Sequence, residues 1–206
     1  MKIGIIGMGR IGATLGRAWV KAGHEVVFGV RSTRAPKVTE LLQSLEGKAK
    51  AKQVAQTVRF ADVVLLAIPG KAVDEFIRTY NAELGGKIVV DATNTFGQPV
   101  LHNVTLLQGG LPQSKVYRAF STLAWETYAN PLFGEERADL FYCGDAGEAK
   151  ETMDGLIRDV GLRPIYVGGP EAVPLIGQMT RLWYTLVMGE GYDRRTAFRL
   201  LTEDQE

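Results

Sequence analysis

The chain has 206 residues, 46% hydrophobic and 23% charged, enough for one substantial core of ordinary globular composition. A formal net charge of +1 offers no basic excess for a general nucleic-acid surface. One cysteine (Cys143) and two histidines (His24, His102) exclude an internal disulfide and are too few for a zinc centre. No apolar run approaches the roughly 18–20 residues of a membrane span, so the expectation is a cytoplasmic protein with neither nucleic-acid nor membrane partners.

The first two dozen residues organise the rest. Ile3-Gly4-Ile5-Ile6 predicts a short buried strand, Gly7-Met8-Gly9-Arg10-Ile11-Gly12 follows at once, and Ala13 to Val20 predicts a helix. A GxGxxG set between a strand and a helix is the context in which the motif implies dinucleotide binding. Gly7 permits the tight turn, Gly9 the approach of a pyrophosphate to the backbone, and Gly12 close packing of the helix on the sheet. The amides and positive dipole end of that helix then face the diphosphate.

Glu25 to Val30 predicts the second strand, whose end meets the adenosine ribose. An NAD site places Asp or Glu there, about 20 residues beyond the glycines. Here Gly29-Val30-Arg31-Ser32-Thr33-Arg34 contains no acid. Arg31, Ser32 and Arg34 suit a 2′-phosphate instead, because a guanidinium offers a planar donor fork to phosphate oxygens. The expected cofactor is NADP(H).

Farther on, Val38 to Leu45 predicts a helix through Leu41, Leu42 and Leu45, and Ala49 to Val58 a second short one. Ala61 to Ile68 predicts a buried strand stopped by Pro69, and Lys71 to Leu84 an amphipathic helix through Val73, Phe76, Ile77 and Tyr80. Strands are expected at Lys87–Asp91, Lys115–Phe120 and Asp139–Cys143, then a helix over 146–160. A last strand within 161–169 belongs at a sheet edge, where Pro164 is tolerated. The tail predicts a long helix over about 172–189 and a shorter one over 192–201. The alternation predicts an α/β doubly wound, mostly parallel sheet of Rossmann type covered on both faces.

That reading divides the chain into a dinucleotide-binding domain, 1–169, and a helical tail, 170–206. Leu175, Ile176, Met179, Leu182, Trp183, Leu186 and Val187 recur on one face of the tail, which packs on the core or on a second subunit. Ligands bind outside the carboxyl edge of such sheets. The expected cofactor contacts are therefore Gly7, Met8, Gly9, Arg10, Ile11 and Gly12; Arg31, Ser32 and Arg34; Ala67, Ile68 and Pro69; and Asn94, Ser121 and Thr122. No acid–base or nucleophile constellation and no metal site is expected. Hydride transfer between flat rings needs orientation and exclusion of water more than side-chain chemistry.

These residues, in this order, resemble the NADP oxidoreductases that use coenzyme F420, an 8-hydroxy-5-deazaflavin. The similarity takes in Gly7–Gly12, Gly29-Val30-Arg31-Ser32, Ala61-Asp62-Val63-Val64 with Ile68-Pro69, Val90-Asp91-Ala92-Thr93-Asn94 and Ala119-Phe120-Ser121-Thr122. It continues through Cys143-Gly144-Asp145, Gly161-Leu162-Arg163-Pro164 and Gly168-Gly169. The cytosolic part of transmembrane ferric reductases resembles the same domain type. The chain departs from the family pattern at Ser121, where Asn or His is frequent, and at Thr95, where proline is common.

The resemblance implies an NADP-dependent oxidoreductase passing hydride between NADPH and a small-molecule redox acceptor, coenzyme F420 or FMN/FAD, in a homodimer. The wider resemblance leaves as alternatives a ferric or flavin reductase and an imine or pyrroline-carboxylate reductase, whose likeness reaches only to about the fifth strand; a non-catalytic NADP(H)-binding sensor is the rival from another class. Trp183, Tyr184 or Met188 is a further candidate for walling the acceptor ring. Arg194, Arg195 and Arg199 either attract an acidic acceptor tail or complement a helix end.

Overall fold

The structure, a computed structural model, describes residues 1–203. Strand β1 (Lys2–Ile6) pairs in parallel with β2 (Glu25–Gly29) on one side and β4 (Val63–Leu66) on the other. Outward from β4 lie β5 (Ile88–Asp91), β6 (Lys115–Arg118), β9 (Asp139–Gly144) and β10 (Arg163–Tyr166), while β3 (Ala49–Lys52) closes the opposite edge. The eight-stranded order is β10-β9-β6-β5-β4-β1-β2-β3. It reverses direction at β1, and the expected doubly wound α/β sheet is what the sequence forms.

Central strands read as unbroken apolar runs because both faces are covered. On one face α1 (Arg10–Lys21), α2 (Pro36–Ser44), α6 (Trp125–Ala129) and α7 (Glu148–Asp159) bury Leu15, Trp19, Val38, Leu41, Tyr128 and Leu156. On the other, α3 (Val54–Phe60), α4 (Val73–Leu84) and α5 (Val104–Gly110) bury Val58, Val73, Phe76, Ile77 and Leu107. The tail helix α8 (Val173–Tyr184) serves both cores: Val173 and Ile176 join the second, and Trp183 joins the first. No helix among the described residues is long and apolar enough to cross a membrane.

Two expectations are corrected. Residues 49–58 are not one helix. Ala49-Lys50-Ala51-Lys52 pairs with Val26–Gly29 as an edge strand, and the helix starts only at Val54. Alternating alanine and lysine suits an edge, with Ala49 buried and Lys50 exposed, and lysine there discourages pairing with another chain.

Residues 192–201 are not helical. They run irregularly across the start of β9, where Asp139 N–H donates to the Phe198 carbonyl and Leu200 N–H to Asp139 Oδ2 at 2.6 Å. These tertiary bonds replace the i→i−4 ladder that apolar spacing alone would favour.

The sheet is mostly parallel, as expected, with one antiparallel pair. β9 meets β6 antiparallel, with Tyr117 opposite Gly144 and Arg118 opposite Cys143. The link between them holds only the five-residue α6 and a small hairpin, β7 (Leu132–Phe133) with β8 (Glu136–Arg137), not a full crossover helix. β10 lies at the edge, as Pro164 required. The long tail helix extends to Gly189 through a π-helical last turn, Thr185–Gly189.

Candidate functional site

The three glycines of the first turn occupy three different steric situations. Gly7 has φ +100°, and a Cβ there would stand 2.4 Å from the Ala67 carbonyl oxygen. A Cβ on Gly12 would stand 2.4 Å from the Gly7 carbonyl oxygen and 3.1 Å from Ile5 Cγ2, so only glycine lets α1 sit this close to β1. At Gly9 a Cβ would meet nothing within 4 Å. The space over Gly9 is thus open, and α1 begins there with no side-chain cap and no acid in its first turn. The amides of such a turn have no intrahelical partner, so they present a ready anion site.

Two neighbouring loops converge on this turn. Gly7 N–H donates to the Gly29 carbonyl at 3.2 Å, which sets the end of β2 beside the glycines. Arg31, Ser32 and Arg34 follow as exposed residues, and neither guanidinium forms an ion pair among the described residues. On the other side Ala67 N–H donates to the Ile6 carbonyl at 2.9 Å, bringing Ala67, Ile68 and Pro69 against Gly7. The half-buried Met8 and Ile11 pack against the core beneath the turn. Arg10 lies over the Trp125 ring, 5.7 Å from its centroid, which carries α6 to the mouth of the cleft.

The ends of β5 and β6 are joined by a buried polar network that the sequence reading missed. Arg118 and Asp91 are both fully buried and pair at 3.1 Å. Asp91 also accepts from Thr93 N–H at 3.0 Å, the Thr93 hydroxyl at 2.6 Å and Asn103 N–H at 3.0 Å. Arg118 further donates to the Thr93 carbonyl and, at 2.6 Å, to Asn94 Oδ1. Asn94 Nδ2 then donates to the Ser121 carbonyl at 3.1 Å. Burial pulls the Arg118 pKa down, and the adjacent Asp91 opposes that pull. The available signal was an arginine inside a strand three residues before Ser121, with an aspartate ending the strand next door.

Asn94 is consequently a strut whose amide is mostly engaged within the protein. The residue before Ser121 is strained: Phe120 has φ +55°, an outlier for a bulky side chain. Two edge-to-face contacts hold it, with Trp19 at 5.7 Å and Tyr128 at 5.9 Å between centroids. The turn that results places Ser121 and Thr122 at the carboxyl edge. Ser121 Oγ and Thr122 Oγ1 are both buried and have no hydrogen-bond partner within the protein, a costly condition that calls for a physical explanation.

Other titratable groups have structural explanations. Burial pushes the Cys143 thiol up to about 12, so it stays protonated at neutral pH. His24 bonds Asp159 at 2.8 Å. His102 lines a groove of about 690 Å³ between α4 and α5, with Asp74, Arg78, Asn103 and Leu106. None of the expected cofactor contacts lines that groove. Arg194 pairs with Glu126 at 2.6 Å, Arg199 with Glu136 at 2.8 Å, and Arg195 covers the Phe133 ring. These arginines fasten the tail to the protein. Trp183 is likewise internal, donating Nε1–H to the Thr196 carbonyl at 2.8 Å.

Residues 2–95 match the family described as NADP oxidoreductase, coenzyme F420-dependent. The chain is similar to metalloreductase STEAP3 of Rattus norvegicus, at 29% identity over 185 residues, 84% of this chain and 36% of that protein. It therefore spans little more than a third of that curated relative's length. Among solved structures, a candidate F420-dependent NADP-reductase from Arthrobacter sp. FB24 superposes with a TM-score of 0.81 at 23% identity, covering 93% of this chain and 95% of that one. An imine reductase of Streptomyces aurantiacus superposes with a TM-score of 0.66 at 16% identity, covering 92% of this chain and 64% of that one. At such identities the structural likeness is one of fold.

Proposed function

We infer, from the match of residues 2–95 to the coenzyme F420-dependent NADP oxidoreductase family, that the chain is an NADP(H)-dependent oxidoreductase. In our reading it moves hydride between NADPH and a deazaflavin or flavin-like acceptor at the carboxyl edge of β1, β4, β5 and β6. The observation that carries this is the empty space over Gly9 at an uncapped helix start, between two glycines that are sterically obligatory.

Bound NADPH would supply the hydride; the protein supplies position. The first-turn amides of α1 hold the diphosphate, and Arg10, steadied on Trp125, adds a positive charge at its rim. Arg31, Ser32 and Arg34 hold the 2′-phosphate. Met8, Ile11 and the Ala67–Pro69 loop flank the ribose and pyrophosphate path. Ser121 and Thr122 border the nicotinamide end with their hydroxyls just beneath the surface, and Arg118 keeps Asn94 fixed beside them. Because Cys143, His24 and the tail arginines are committed elsewhere, orientation of two rings rather than proton transfer by a side chain is the protein's contribution.

A second copy of the chain belongs on α8, where Leu175 and Leu182 stand 55% and 51% exposed on one stripe with Met179 and Leu186.

Calorimetric titration with NADPH and NADH tests the cofactor assignment. Replacing Arg31 and Arg34 together by alanine is expected to weaken NADPH by about tenfold to a hundredfold, since each charged hydrogen bond contributes about 1.5–3 kcal/mol when well formed. NADH should change far less. Equal losses for both would contradict the assignment of the β2 loop to the 2′-phosphate.

A further inference from the structure

Two aromatic rings stand in solvent at the carboxyl edge without a role in the cofactor reading. Phe96 follows Asn94 by two residues in the loop after β5 and is 54% exposed; Tyr184 ends α8 and is 43% exposed. Their centroids are 5.0 Å apart, with the planes tilted by 31°. Single exposed rings need no explanation, but rings packed into one contiguous exposed apolar patch mark an interaction or ligand site.

The pair is held in place from both sides. The Arg181 guanidinium donates to the Gln98 carbonyl at 2.9 Å and to the Pro99 carbonyl at 2.6 Å, which ties the Phe96 loop to α8 one turn before Tyr184. Thr95 closes the base of the loop, N–H to the Leu101 carbonyl at 2.9 Å and hydroxyl to the Val100 carbonyl at 2.7 Å. Below the pair, Thr180 Oγ1 and Asn94 Nδ2 both donate to the carbonyl of Ser121, at 3.4 and 3.1 Å. The rings therefore rise from the two elements that meet at Ser121, where the nicotinamide end is assigned. Arg181 spends its donors on backbone carbonyls and has no acidic partner among the described residues, so its positive charge stays at the base of the aromatic pair. Met188, one turn beyond Tyr184 and 56% exposed, adds a soft thioether beside it.

We propose that Phe96 and Tyr184 form the stacking platform for a planar tricyclic hydride acceptor of the flavin or deazaflavin class, and thereby select flat ring acceptors over compact or chelated ones. The inference rests on the NADP(H) reading above. In the step it serves, the nicotinamide C4–H bond breaks and the hydrogen leaves with both electrons to the central ring of the acceptor. NADPH becomes NADP⁺, and the reduced ring, two electrons richer, takes a proton from water where its pKa requires one. The platform contributes offset stacking and the exclusion of water from one ring face.

The test compares the wild-type chain with Phe96→Leu, Tyr184→Leu, the double variant and Tyr184→Phe. FMN is the planar probe and ferricyanide the compact one. The ratio of kcat/KM for FMN to that for ferricyanide should fall about threefold to tenfold in each leucine variant, the scale of one aromatic stacking contact. Tyr184→Phe should keep the wild-type ratio. Fluorescence quenching of FMN by NADP⁺-loaded protein should weaken in parallel. A ratio and an FMN affinity that do not move in the double variant would overturn the proposal. So would a change in solution mass of that variant with no change in FMN affinity, which would make the rings a contact between copies. If the wild type binds NADPH but turns over nothing, the oxidoreductase reading fails separately, and FMN binding still decides the platform.

Discussion

Gly9 and Gly12 lie three residues apart in one turn, yet they answer to different constraints, and substituting each by alanine separates them. A Cβ at Gly12 would press into the Gly7 carbonyl at 2.4 Å, so Gly12→Ala should lower stability by about 1–3 kcal/mol, the cost of forcing atoms into a packed site. A Cβ at Gly9 meets open space at an ordinary backbone conformation, φ −76°. Gly9→Ala should leave stability within about 0.5 kcal/mol while reducing NADPH affinity. Thermal melts beside NADPH titrations read both, and an affinity that survives Gly9→Ala would argue against a diphosphate over that residue. Arg118 makes the opposite case, a side chain whose worth is structural. Arg118→Met leaves Asp91 buried without its charge partner, and urea unfolding should show a loss of about 3–5 kcal/mol. A loss near zero would mean that Thr93 and Asn103 alone can hold that carboxylate.

At the scale of elements, what the sequence revealed depended on whether a segment's structure is set locally. β1, α1, β2 and the helix ending at Leu84 carry their own periodicity and their own stops, and they form where the pattern puts them. Ala49–Lys52 does not. Alanine and lysine favour a helix in isolation, and only the free edge of β2 turns the segment into a strand. The segment after Tyr192 has apolar and charged residues at helical intervals, but Asp139 and the hairpin supply partners that a local ladder cannot match. Asp139 is the anchor of that strap: it accepts from Arg163 at 2.6 and 2.8 Å and from Leu200 N–H. Asp139→Asn should therefore loosen the tail, and trypsin should cut after Arg195 and Arg199 several-fold faster than in the wild type, with the sheet still folded by circular dichroism. Unchanged cleavage would show that Arg194–Glu126 and Arg199–Glu136 suffice without it.

Across the whole molecule, the glycine turn, the acid-free β2 loop and the Pro69 stop were legible because each is a short sequence with a single physical purpose. The Arg118–Asp91–Asn94–Ser121 chain was not, because it joins residues 27 positions apart through contacts that no periodicity encodes. The antiparallel entry of β9 was hidden for the same reason: a strand's sequence does not state its direction. What the fold assembles is a carboxyl edge with an open glycine turn after β1, unpartnered hydroxyls after β6, and an exposed aromatic pair on the β5 loop and α8. The central claim is that this edge carries hydride from NADPH to a flat redox acceptor. The most direct measurement follows the loss of reduced-nicotinamide absorbance with purified protein, offering coenzyme F420, then FMN and FAD, each with NADPH and with NADH. The account predicts turnover with NADPH and a ring acceptor, at a kcat/KM at least about tenfold above that with NADH. NADPH bound but never oxidised by any of the three rings would contradict it.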